Sequence, residues 1–172
     1  MEEARPRNVK PPAHGEPTLC VGIIINEDNR SSVSLLLPAE PLYVLSVGDD
    51  KISLPAQAKL SFSLVNEKMQ IESEDGQISL SCSQKVSIKA KSESKLSPGS
   101  GIVVNDVVAG RSFHWRKTLS VSLPGTIFVQ PSKCGQKVIL TNELGFETYL
   151  ACVIASEMNA FCPPAFIRAQ AT

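Results

Sequence analysis

Residues 60–90 read LSFSLVNEKMQIESEDGQISLSCSQKVSIKA, and the alternation inside them decides the fold. Leu60, Phe62 and Leu64 are separated by Ser61 and Ser63, while Val86 and Ile88 are separated by Ser87 and followed by Lys89. A period of two puts successive side chains on opposite faces of a strand, one face buried and the other solvated. Asp75-Gly76 carries turn chemistry between two such runs. The stretch therefore predicts strands over 60–65, 68–72, 77–82 and 85–90. Upstream, the same reading predicts strands over 19–25, 32–37 and 41–47, with breaks at 26–30, Pro38, Gly48-Asp49 and Pro55. Short strands at this spacing are those of a small sandwich or barrel.

Working outward, residues 1–18 read as a disordered lead held open by Pro6, Pro11, Pro12 and Pro17. The run 89–100, KAKSESKLSPGS, is polar with a Pro-Gly step and can bury little apolar surface. It predicts a linker over 91–100 that divides a β-rich module, 19–90, from a second unit, 101–172. In the second unit, strands are expected over 101–104, 113–121, 126–130 and 137–141.

A chain of 172 residues suits one domain with a real core, or a small domain plus a module. Its 42% hydrophobic content and near-zero mean hydropathy are those of a globular protein. Seventeen basic residues balance seventeen acidic ones, and that balance points neither to nucleic acid nor to an anionic membrane surface. The five cysteines are scattered, with no C-x-x-C and no paired histidine spacing. No zinc site and no cofactor are expected within the chain. The apolar run from Leu19 to Ile25 follows a charged, proline-rich opening and lacks a small-residue cleavage site, so it reads as a strand and not as an export signal. No run approaches the ~18 apolar residues of a membrane span. Localisation is left open.

The period changes near Asn142. Phe146, Tyr149, Leu150, Val153, Ile154 and Met158 follow the spacing of one helical face, which predicts an amphipathic helix over 144–158. Cys152 and Cys162 flank it and read as small apolar packing residues. Pro163-Pro164 suit the first turn of a second short helix, Ala165 to Ala171. The fold class is α+β with sheet predominating. Glu157, eleven positions beyond Phe146, returns to within about 20° of it around the helix. Two readings follow. Glu157 swings out to water at a frayed end, or it is held against apolar surface, where desolvation favours the protonated form and makes it a general acid.

Asn142-Glu143-Leu144, Glu147, Tyr149-Leu150, Ser156-Glu157-Met158 and then Pro163 through Ala169-Gln170-Ala171 resemble the signature of the stage II sporulation protein D (SpoIID/LytB) family. Phe113-His114-Trp115 and Leu123-Pro124-Gly125 resemble the lead-in of some members. The resemblance implies a peptidoglycan-directed protein. Characterised members are similar to lytic transglycosylases that cut glycan strands stripped of stem peptides, with the glutamate of the Ser-Glu-Met motif, here Glu157, as catalytic acid. Other members are described as enhancers of cell-wall amidases, so the alternative is a non-catalytic wall-binding or amidase-enhancing module, or an inactive truncated fragment, and the 172 residues by themselves are expected to show little or no activity. Ser156, Tyr149 and Gln170 are the motif positions expected to contact glycan. The family is extracytoplasmic and its domain continues beyond the Ala-Gln-Ala motif, so residues 101–172 are expected to be a partial domain. Gly145 and Phe146 stand where the family has Pro-Leu, which should loosen the helix start, and Asn159 replaces a proline.

Trp115 has a sugar-stacking reading beside that of an ordinary core tryptophan, and His114 is a weaker candidate base. Glu147 is ten residues before Glu157, about 15 Å along a helix axis. Paired glycosidase carboxylates are about 5–9.5 Å apart, so Glu147 is not a second catalytic carboxylate. A mechanism with a single acid is the one that fits.

Overall fold

The computed structural model describes residues 15–92 and 100–157, together with Pro163 and Ala165. Its strands are β1 (Thr18–Ile24), β2 (Ser32–Leu36), β3 (Tyr43–Val47), β4 (Asp50–Leu54), β5 (Lys59–Val65), β6 (Lys68–Ser73), β7 (Ser79–Cys82) and β8 (Val86–Ala90). They continue with β9 (Ile102–Ala109), β10 (Lys117–Leu123), β11 (Thr126–Pro131) and β12 (Val138–Gly145), and the helix α1 (Phe146–Glu157) follows. One antiparallel sheet has the order β1-β12-β11-β8-β3-β4 and the other β10-β9-β2-β5-β6-β7. Their inner faces share a single core. The protein is thus a β-sandwich with a C-terminal helix.

The alternating run behaves as its pattern requires. Leu60 and Phe62 of β5 and Met69 and Ile71 of β6 are wholly buried, and Phe62 faces Ile71 across the ladder. Val86 and Ile88 bring the same inward face to the opposite sheet, beside Leu45, Ile127 and Val129. Each such side chain contributes about 1.5–3 kcal/mol by leaving water. The Asp75-Gly76 break forms the β6–β7 turn, where Asp75 Oδ1 accepts from Gln77 N at 3.0 Å.

Several expectations are corrected. Strands from both sides of the 91–100 run interleave, since β11 lies between β12 and β8 and β9 pairs with β2. The run does not divide the core into two modules. It connects β8 in one sheet to β9 in the other. β4 was not anticipated because its first half, Asp50-Lys51, is polar, although Leu54 is buried opposite Tyr43. β10 begins at Lys117, so Phe113, His114 and Trp115 lie in a loop and not in a strand. β12 continues through Gly145 and pairs with β1 from Leu140 to Gly145, so the helix starts at Phe146. The expected second helix, apart from Ala165, lies outside the described residues, as do Met158 and Cys162. Ala165 itself is helical, and among the described residues the 3-10 turn Asn26–Asp28 is a further helical element.

Candidate strand-to-helix site

The Asn-Glu-Leu part of the motif is the end of a strand with neighbours on both sides. Asn142 is 3% exposed, and its Nδ2 donates to Pro124 O at 2.7 Å and Thr126 O at 3.3 Å. A single amide thus satisfies two carbonyls in the turn joining β10 to β11 and ties that turn to β12. Leu144, two positions on, is buried on the same face.

The segment before β1 then caps the helix. Phe146 N donates to Pro17 O at 2.9 Å, and Glu147 N donates to Glu16 Oε1 at 2.6 Å. A carboxylate accepting an unpaired first-turn N–H, at the positive end of the helix dipole, stabilises the start. Gly145 makes room for it, because a Cβ there would lie 2.4 Å from Glu16 Oε1. Gly145 is a strand residue, and the helix penalty expected of it does not apply.

Along α1, Phe146 is 40% exposed, whereas Tyr149, Leu150, Cys152, Val153 and Ile154 are half-buried. The apolar stripe is real but only partly covered. Burial pushes the Cys152 thiol above its ordinary pKa, in keeping with packing and not reactivity. Glu147 is an exposed first-turn residue. Ser156 is exposed, and its Oγ donates to Val153 O at 2.8 Å. Glu157 is the last residue of the helix. Gln170 lies outside the described residues.

Trp115 is placed elsewhere. It belongs to the loop between β9 and β10, is 51% exposed, and stacks on Phe113, itself 62% exposed, with ring centroids 5.5 Å apart and planes 20° apart. It is not a core tryptophan. Beside it, Arg111 grips Asp28 through two 2.7 Å hydrogen bonds, Nε to Oδ1 and Nη2 to Oδ2, and Nη2 also donates to Ile23 O at 2.8 Å. That hydrogen-bonded guanidinium holds the Asp28 carboxyl below the usual carboxylate range, against the opposing effect of burial.

The loop therefore adjoins the Ile23 end of β1, while α1 starts opposite Thr18 at the other end. Five residues of strand, about 16 Å, separate the two ends. Tyr149, Ser156 and Glu157 share one helix, and Trp115 is not brought to its start. Sequence reasoning missed Glu16 and the Asp28–Arg111 pair. Both act across more than eighty residues, and no local spacing signals them.

Among the described residues, no group of three His, Cys, Asp or Glu side chains is arranged to hold a metal ion. No described helix is long and apolar enough to cross a membrane. Compared with known protein families, curated proteins and solved structures, the chain matches none.

Proposed function

We propose that this is a peptidoglycan-directed protein in which Glu157 serves as the single general acid and base of a lytic transglycosylase-type cleavage of peptide-free glycan strands. The supporting observation is the joint between β12 and α1. Asn142 and Leu144 anchor the first half of the motif in the sandwich, and Glu16 caps the helix. The helix carries Ser156 and Glu157 to the far end of twelve residues, about 18 Å from its start. One half of the motif builds a rigid mount and the other half supplies the chemistry.

In this reaction the protonated Glu157 carboxyl donates its proton to the glycosidic oxygen as the C1–O bond breaks. The resulting carboxylate takes the proton of the same sugar's C6 hydroxyl, whose oxygen closes on C1 to form an anhydro ring. No water is consumed and the acid is regenerated. One carboxyl group with a raised pKa suffices. Glu147, exposed at the helix start, stays outside the range of a paired carboxylate.

The test is mass spectrometry of peptide-free glycan strands incubated with the protein and with Glu157→Gln. The amide keeps the shape but cannot donate the proton. Anhydro-ended fragments are expected from the protein and none from the variant, with retention on wall material unchanged. Equal product from both would remove Glu157 from the mechanism.

The second reading is a non-catalytic wall-binding or amidase-enhancing module. It is supported by the half-covered apolar stripe of α1 with Phe146 exposed at its start, a surface suited to a protein partner. Stimulation of a purified wall amidase without anhydro products, lost in Phe146→Ser, would favour it.

A further inference from the structure

We infer that Asn29, in the short loop between β1 and β2, is an acceptor for N-linked glycosylation, taking a glycan from a polyprenyl-pyrophosphate carrier through an oligosaccharyltransferase. The inference stands on this loop's own residues and goes beyond the reading of Glu157.

Residues 27–31 read Glu-Asp-Asn-Arg-Ser, and Asn29-Arg30-Ser31 is an Asn-x-Ser acceptor sequence with no proline at its middle position. The chain has seven asparagines, and none of the other six has a serine or threonine two positions on. The chemistry is confined to one place.

Such a sequence is an acceptor only where a transferase can reach it. The fold puts it at a corner of the sandwich, where the 3-10 turn Asn26–Asp28 ends and β2 begins at Ser32. Asn29 closes that turn in the left-handed conformation, φ 53° and ψ 41°, and its N donates to Asn26 O at 3.2 Å. Asparagine is one of the few residue types that tolerate this backbone. Around it, alternate residues differ in exposure. Glu27, Asn29 and Ser31 are exposed, whereas Asp28 and Arg30 are half-buried. Asp28 is held by Arg111, Arg30 Nη2 lies 3.6 Å from Asp106 Oδ2, and Arg30 O accepts from Val138 N at 2.7 Å. The anchors thus fall between three exposed groups and leave all three to solvent.

Each exposed group has a part in transfer. The Asn29 amide supplies the nitrogen, the Ser31 hydroxyl a hydrogen-bonding handle, and Glu27 a carboxylate to pair with a basic group of the transferase. An amide nitrogen is a weak nucleophile, since its lone pair is delocalised into the carbonyl, so the step needs the enzyme. A bond forms between Asn29 Nδ2 and C1 of the first sugar as the C1–O bond to pyrophosphate breaks. The polyprenyl pyrophosphate leaves, and one amide proton passes to a base of the transferase. Nothing is oxidised or reduced.

The test is transfer in vitro. The folded full chain is incubated with a purified single-subunit bacterial oligosaccharyltransferase and polyprenyl-pyrophosphate-linked N-acetylgalactosamine, and its intact mass and proteolytic peptides are read by mass spectrometry. A gain of one N-acetylhexosamine, located on Asn29, is expected. Asn29→Asp tolerates the same backbone but offers no amide, and it should take up none, as should Ser31→Ala. Ser31→Thr should retain uptake and Glu27→Gln should slow it. Unaltered melting of the variants separates lost transfer from lost folding. A free peptide of residues 25–33 is run beside the chain. Uptake by the peptide but not by the chain would overturn the inference, because the fold would then hide Asn29. No uptake by either would overturn it because the sequence is not read, and uptake at a residue other than Asn29 would overturn it as well. Release of anhydro-ended fragments is measured separately on the unmodified chain, so failure here leaves the Glu157 reading to its own assay.

Discussion

Asp28 and Arg111 are 83 residues apart in sequence, and the pair they form fastens the β9–β10 loop to the end of β1. Asp28 is almost wholly buried, whereas Arg111 keeps about a third of its side chain in water. Arg111→Met would leave a buried carboxylate without its partner. Full burial of both groups would make that worth about 3–5 kcal/mol, and the exposed guanidinium reduces the expected loss to about 2 kcal/mol. The loss should depend on pH. Arg111 depresses the folded carboxyl's pKa, so the unfolded chain binds that proton more readily and the stabilisation is complete above about pH 5. It disappears as pH falls below the unfolded value, about 3.9, and through the lower folded one. Urea midpoints should therefore differ between wild type and Arg111→Met at pH 7, and the difference should shrink as pH falls below about 4. Tyr43 is the opposite kind of residue. It is 1% exposed, and its hydroxyl has no hydrogen-bond partner among the described residues. Tyr43→Phe removes a desolvated polar group without changing the ring, and should raise stability by about 1 kcal/mol in the same assay.

At the scale of elements, β12 and α1 depend on two polar contacts that the helix-like spacing of the region conceals. Asn142→Ala deletes the donor shared by Pro124 O and Thr126 O and should cost about 2 kcal/mol. Asn142→Asp should cost more, because a carboxylate would then face two carbonyl oxygens. Glu16→Ala removes the cap and should cost about 1 kcal/mol. Its effect should appear as faster amide hydrogen exchange in the first turn of α1 with the sandwich amides unchanged. These contacts explain what was legible. Strands with strict alternation, such as β5 and β8, declared themselves because one face is buried. The helix declared itself by its stripe, but Leu144 fits both a helical stripe and the inward face of β12, and only pairing with β1 decides for the strand. Phe113 and Trp115 carry strand propensity, yet the positive φ of Gly110 and Ser112 turns the chain there. Tyr149, Ser156 and Glu157 of α1 were singled out from a local motif. The contacts at the start of that helix were not, since Glu16 and Asn142 act through partners distant in sequence.

For the whole molecule, the interleaving of early and late strands makes the core indivisible. β11 and β12 fill the space between β1 and β8 in one sheet, and β9 and β10 extend the other beyond β2. Composition marked residues 91–100 as a boundary because polar Ser, Lys and Glu cannot enter a core. A connection between two sheets has that same composition, and only strand order distinguishes it from a linker between domains. The difference is testable. A fragment ending at Lys91 would keep β1 to β8 but expose the ladder edge of β8 to which Ile127, Phe128 and Val129 are paired. It would also strand β1, whose partner is β12, and uncover Leu35 and Ile88, both wholly buried in the intact chain. Such open edges and apolar faces favour association over folding. The fragment alone should give poorly dispersed amide NMR spectra and aggregate. Mixed with a second fragment that starts at Ser100, it should recover dispersed spectra in a one-to-one complex, because the missing strands return to both sheets at once. A well-dispersed spectrum and a sharp melt from the first fragment by itself would restore the two-module reading. It would also mean that β9 to β12 add to a core already closed without them.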